Sequence, residues 1–187
     1  MSSLINTSLP VERIRVWDVG VRLFHWSLVA MVTTTYIFDS PRSLHRSLGY
    51  VVLALIAFRI VWGFIGTRHA RFADFVPGPR GFVGYMNDML RGNEARYVGH
   101  NPAGGAMILA LLTTLAAIGA TGYMMGMDAY FGKEWVEEAH EFLVNSLIIL
   151  VVLHVGGVIF SSVRHRENLV VSMITGQKIS DDNDPKS

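Results

Sequence analysis

Four long apolar blocks, separated by short polar stretches, organise this chain. They run from about Val16 to Phe38, Ser43 to Ile65, Ala103 to Met127 and Val136 to Val163. A bilayer core takes about 20 helical residues at about 1.5 Å each, so every block is long enough to span it. The first is the least apolar, with Asp18, Arg22 and His25 near its start and Thr33, Thr34 and Thr35 further on. It does not read as a cleaved signal peptide: Glu12, Arg13 and Arg15 precede it, the apolar run is too long, and no small-x-small site follows. Between the second and third blocks, about Gly66 to Pro102, the turn Pro77-Gly78-Pro79 precedes a short interfacial helix predicted from Phe82 to Leu90. The tail after Gly176 is polar and expected to be mobile. There is no internal repeat and no low-complexity segment.

Composition agrees. Of 187 residues, 51% are hydrophobic and 17% charged, and the mean hydropathy is +0.36. A soluble domain of this size carries charge on about a quarter of its residues. The absence of cysteine excludes disulfides, thiolate-ligated iron–sulfur clusters and covalently attached c-type haem. Basic residues set the orientation. With the N-terminus inside, the inner segments hold twelve of the 16 lysines and arginines. The outer loops hold only Arg42, Arg46 and Lys133, and Arg59 lies within the second span. The expected fold is therefore all-α: an integral membrane four-helix bundle with both termini cytoplasmic. Residues 1–15 form a cytoplasmic segment, 16–176 the bundle and 177–187 the tail. No nucleic-acid partner is expected.

Ionisable groups within a span are expensive and mark function. Four of the seven histidines lie in or at the edge of a span: His25, His45, His140 and His154. His140 and His154 are 14 residues apart, which advances about 21 Å and falls only about 40° short of four turns. They share a face of the fourth helix, one near each membrane surface. Counted from the cytoplasmic side, His25 is about nine residues into the first span, roughly 14 Å deep, and His154 is at the matching depth in the fourth. His45 and His140 match near the outer surface. Two histidine pairs at two levels, each joining different helices, are what two bis-histidine haems b require, with neutral imidazoles on both faces of each ring. Buried histidines also serve as interhelical hydrogen-bond partners, the ordinary alternative for any one of them. Zinc fits less well, because no carboxylate or thiolate completes a four-ligand set at either level.

Small residues line these helices: Gly49 after His45, Gly156 and Gly157 after His154, and Gly119, Gly122 and Gly126 on the third helix. They let a porphyrin or a neighbouring helix approach closely. Arg59 follows His45 by 14 residues on the same helix face, at the cytoplasmic level. It needs an anion there, a haem propionate or a quinone oxygen, unless it snorkels to the headgroups.

The segment Val16-Trp17-Asp18 with Arg22, His25 and Trp26 resembles the opening of the prokaryotic cytochrome b561 family. Further matching stretches are His45 to Gly49, Arg59 with Trp62-Gly63-Phe64, His69-Ala70-Arg71-Phe72, Gly99-His100-Asn101-Pro102, His140-Glu141, His154 with Gly156, and Arg166-Glu167-Asn168-Leu169 leading to Met173 and Gly176. The likeness is greatest to the b-type cytochrome subunit of nickel-iron hydrogenases and its stand-alone relatives, and covers about Val16 to Lys178.

The resemblance implies a multi-pass protein of the bacterial inner (plasma) membrane with two non-covalent haems b. His25 and His154 would ligate the inner haem iron, and His45 and His140 the outer one. It also implies exchange with ubiquinone or menaquinone near the inner haem, where the third helix begins. His100 and Asn101 stand at that place, although Asn101 before Pro102 also reads as a helix cap. The expected function is electron transfer across the bilayer between the quinone pool and a periplasmic redox partner, such as a c-type cytochrome. The short loop between the third and fourth helices and the acidic run Glu134, Glu137, Glu138 and Glu141 fit a small basic partner. The alternatives are a superoxide oxidase that reduces quinone, the cytochrome b subunit of a hydrogenase, and a non-redox anchor. A homodimer is among the candidate assemblies.

Overall fold

A computed structural model describes residues 13–38 and 40–179. The element order is β1 (Arg13–Arg15), α1 (Val19–Ile37), α2 (Arg42–Ile65), a 3-10 turn (Arg68–Ala70), α3 (Phe72–Phe75), α4 (Pro79–Leu90), α5 (Pro102–Met124), α6 (Glu134–Arg164), α7 (Leu169–Thr175) and β2 (Gln177–Ile179). The four long helices coincide with the four apolar blocks to within a few residues. Three of them, α2, α5 and α6, are long and apolar enough to cross a membrane. The shorter α1 has 19 residues, about 28 Å of helix, and carries Arg22, His25 and a threonine run. The interfacial helix expected over Phe82–Leu90 is α4, which starts a turn earlier because Pro79 fits its first turn.

Local chemistry sets the helix ends. The Asp18 carboxylate accepts from the Val21 N–H at 2.9 Å and starts α1. Asn101 does the same for α5, accepting from Gly104 N–H at 2.7 Å ahead of Pro102. Glu134 and Glu137 lie in the first turn of α6 and Arg164 in its last, each at the favourable pole of the helix dipole. Gly176 ends α7 with φ of 82°, a left-handed conformation that a side chain resists.

Helices α1 and α2 pack antiparallel. The start of α1 meets the end of α2 through Asp18, which accepts from Trp62 Nε1 at 3.2 Å and Thr67 Oγ1 at 2.5 Å. The end of α1 meets the start of α2 where His45 reaches the Thr35 carbonyl. Helix α5 packs along α6 and against α2. At mid-height Val52, Ile56, Leu115 and Leu147 form a buried apolar layer, flanked by Leu28, Met31, Val32, Leu111, Ala116 and Ile118.

After α6 the chain folds back beneath α1. β2 pairs antiparallel with β1, Arg13 opposite Ile179 and Arg15 opposite Gln177. The N–H groups of Val16 and Trp17 donate to the Gly176 carbonyl at 2.9 and 3.1 Å, and Trp26 Nε1 donates to the Met173 carbonyl at 3.3 Å. Both ends of the described chain therefore lie together, at the end of the bundle where α1 begins and α2 ends. Three residues expected in a loose tail instead form β2, and Lys178 within it is 6% exposed. The rest of that tail, from residue 180, lies outside the described residues.

Candidate functional site: two histidine levels in the bundle

The apolar layer divides the bundle into two levels. Val52 lies seven residues from both His45 and Arg59, and Leu147 seven from both His140 and His154. Seven residues are about two turns, so these side chains point the same way at three successive heights.

At one level, the ring centroids of His45 on α2 and His140 on α6 are 6.4 Å apart, with planes inclined by 66°. The Nδ1–H of His45 donates to the Thr35 carbonyl at 3.2 Å. Nδ1 of His140 lies 2.9 Å from Thr121 Oγ1. The Thr121 hydroxyl directs its one hydrogen at the carbonyls of Ala117 and Ile118, each 3.0 Å away, and so accepts from His140 Nδ1–H. Both imidazoles thus carry their proton on Nδ1, which leaves a lone pair on each Nε2. Gly122 makes room: a Cβ there would sit 3.3 Å from the His140 ring.

At the other level, His25 on α1 and His154 on α6 lie within Coulombic reach of each other. Both are half-buried. The His25 ring packs edge-on against Trp26, centroids 5.0 Å apart, and its Nδ1 is buried with no hydrogen-bond partner. Arg59, 3% exposed, joins this level. Its guanidinium lies over the rings of Phe72 at 5.1 Å and Phe75 at 5.7 Å, and Nη1 is buried without a partner. Headgroup snorkelling does not describe a side chain so enclosed.

His100 sits beside this level, just before α5. Its ring lies between those of Trp17 and Phe75, at 4.5 and 5.0 Å, and its Nδ1 has no partner. Burial, reinforced by the positive charges of Lys178 and Arg59 and by His69 and His154, pushes its pKa down to about 3. His100 is therefore neutral at physiological pH and presents either a donor or an acceptor. In Asn101 the side-chain oxygen is taken by the α5 cap, leaving its NH2 group for any ligand. Lys178 seals the base, pairing with Glu167 at 3.4 Å and facing the Trp17 ring at 5.9 Å.

The fold thus brings the His45 and His140 rings together and sets His25 and His154 within Coulombic reach. It adds residues the spacing did not predict: Thr121, which fixes a tautomer, and the aromatic wall of Trp17, Phe72 and Phe75. Among the described residues, no group of three or more His, Asp or Glu could hold a metal ion. The two levels are pairs, one imidazole from each of two helices.

Residues 16–176 match the family described as prokaryotic cytochrome b561. Among curated relatives, the probable Ni/Fe-hydrogenase B-type cytochrome subunit of Rhizobium leguminosarum bv. viciae is 23% identical, over 91% of each chain. The protein of the same description from Cupriavidus necator is 25% identical, over 93% of this chain and 90% of its own. That from Rhodobacter capsulatus is 24% identical, over 87% and 80%. The paired histidines, three of the four on membrane-length helices, and the match across nearly the whole bundle lead to one conclusion: the chain belongs to the prokaryotic cytochrome b561 family.

Proposed function

We propose that this protein is a di-haem b membrane cytochrome that carries electrons across the bilayer between the quinone pool and a periplasmic redox protein. His45 and His140 hold the outer haem, and His25 and His154 the inner one. The observation that carries the reading is the 6.4 Å between the His45 and His140 ring centres. A metal–imidazole bond of about 2.0–2.1 Å, with the ring centre about 1.1 Å behind the nitrogen, puts two imidazoles sharing one iron about 6.2–6.4 Å apart. The Nδ1–H bonds to Thr35 and Thr121 leave Nε2 as the ligating atom on both. When bound, haem supplies a one-electron carrier at each level.

The bundle's own residues do the rest. The Val52, Ile56, Leu115 and Leu147 layer keeps water out between the levels. The antiparallel pairing of α1 with α2, and the β1–β2 pairing of the chain ends, support α1 as a fourth span with both termini on one side. The excess of basic residues on that side supports a cytoplasmic location for it, in a bacterial inner membrane. His100 and the Asn101 amide group form the quinone contact beside the inner haem. Neutral His100 offers a quinone oxygen a donor without holding a charge there.

One observation favours a specific partner. The relatives from Rhizobium, Rhodobacter and Cupriavidus are described as hydrogenase cytochrome subunits and match over at least 80% of their own length. A hydrogenase is therefore the second reading for the periplasmic partner, beside a c-type cytochrome.

The deciding experiment is the absorption spectrum and haem content of the purified protein. Two low-spin haems b per chain are expected. A chain without haem, or a five-coordinate high-spin spectrum, would overturn the reading. Thr121→Val provides a finer check. It removes the acceptor that orients His140, and such supports are worth about 10–100-fold in affinity. The outer haem should be lost on dilution about that much more readily, with the inner one retained. Equal retention of both would show that Thr121 does not orient a ligand.

A further inference from the structure

Arg59 is the most enclosed charge in the described bundle, 3% exposed, with Nη1 buried and unpartnered. A buried guanidinium is strongly disfavoured unless an anion meets it. Asp18 is within Coulombic reach, yet its two oxygens already accept from Val21 N–H, Trp62 Nε1 and Thr67 Oγ1. The surroundings hold the arginine in place rather than neutralise it. Phe72 and Phe75 lie against the guanidinium. Phe72 can lie there only because position 63 is glycine, since a Cβ on Gly63 would overlap the Phe72 ring. The Phe75 carbonyl in turn seats against Gly105, where a Cβ would again overlap. Two glycines on two helices thus bring an aromatic wall onto one arginine, and Nη1 remains free. The geometry is that of a built anion site.

We propose that Arg59 is the carboxylate-binding residue of the inner haem, taking one of its propionates, and that its charge makes the inner haem the more easily reduced of the two. This rests on the two-haem reading above. A fixed positive charge in a poorly screened site favours the reduced, more negative state of a nearby iron. Among the described residues the outer level has no buried arginine: Arg46, beside His45, is exposed, with Nη1 near Gly126, His45 and His140 are held by a carbonyl and a hydroxyl, and acidic Glu134 and Glu137 open the adjoining end of α6. The charge distribution therefore favours electron flow from the His45–His140 level to the His25–His154 level, towards the quinone contact at His100.

The test is a redox titration of the purified, quinone-free protein in detergent, followed by haem absorbance. The component lost in His154→Ala identifies the inner haem. In the unaltered protein the inner component should be reduced first. Arg59→Gln, which keeps length and polarity but removes the charge, should lower the inner haem's reduced-to-oxidised ratio at a given poise about tenfold or more. For one electron that is about 59 mV or more. The outer component should not move. Arg59→Lys, which keeps the charge, should lose less than half of that change. If Arg59→Gln destabilises the bundle, Arg59→Lys and Gly63→Ala, which displaces Phe72, carry the same comparison through the inner potential.

Two haems with unchanged potentials in Arg59→Gln would overturn the proposal and leave the di-haem reading standing; an anionic quinone oxygen would then be the occupant. Equal shifts in both haems would also overturn it, as a general loss of structure. Absence of two haems in the unaltered protein would instead defeat the reading on which it rests.

Discussion

His154→Ala is expected to halve the haem content and abolish the inner haem while the outer one stays bound and reducible. The reason lies in the geometry of α6. His154 stands 14 residues beyond His140 on the same helix face, with Leu147 and the apolar layer between them. On the di-haem reading proposed above, removing the imidazole takes away one axial ligand at one level and leaves His45, His140, Thr35 and Thr121 in place at the other. Among the described residues, the other histidines near the inner level are engaged elsewhere. His100 is turned between Trp17 and Phe75, and His69 is paired with Asp74 at 3.0 Å. The surviving haem should show an unaltered low-spin band, read by reduced-minus-oxidised difference spectra. His45→Ala should give the mirror image, sparing the inner haem. Retention of both haems in His154→Ala, or loss of both with the bundle still folded by circular dichroism, would overturn the assignment of ligands to levels.

The two levels were legible in the sequence because membrane helices are long, straight and forced to satisfy their own backbone. On such helices residue spacing converts directly into depth and face. The 14-residue intervals from His45 to Arg59 and from His140 to His154 therefore placed four residues in three dimensions before any coordinates. Helix bounds followed from the same regularity. Asn101 and Pro102 announced the start of α5 by their chemistry alone.

What escaped the sequence was long-range or non-periodic. The strands β1 and β2 are three residues each, and their charged residues carry no alternating apolar pattern. Lys178 was assigned to a polar tail, although its position beneath Trp17 buries it. His100 stands in a loop, and the rings that cover it, Trp17 and Phe75, come from remote segments. Thr121 carries no signal in the sequence, because its role depends on the rotation of α5 against α6. Asp18 stands in the sequence as a charge near the start of the first span and as part of the Val16-Trp17-Asp18 stretch, with no sign of its hydrogen-bond partners. Its partner Thr67 lies 49 residues away.

Asp18 is also where the largest loss of stability is expected. Its carboxylate caps α1 at Val21 N–H and accepts from Trp62 and Thr67 at the end of α2. Asp18→Ala removes the cap, for about 1 kcal/mol, and strands the half-buried Trp62 Nε1–H, for about 1–3 kcal/mol, whereas the exposed Thr67 hydroxyl can turn elsewhere. A fall of about 2–4 kcal/mol is expected in unfolding experiments in detergent. Asp18→Asn keeps an acceptor for the cap and should cost about half as much. The loss should not be uniform. Asp18 fixes the start of α1 against the end of α2, two turns from His25 and close to Arg59, whereas His45 and His140 are held at the far end of the bundle. On heating, Asp18→Ala should therefore release the inner haem several degrees before the outer, read at the two haem absorbances. A change within about 0.5 kcal/mol, the range of an ordinary surface substitution, or simultaneous release of both haems, would show that this carboxylate does not hold α1 in register with α2.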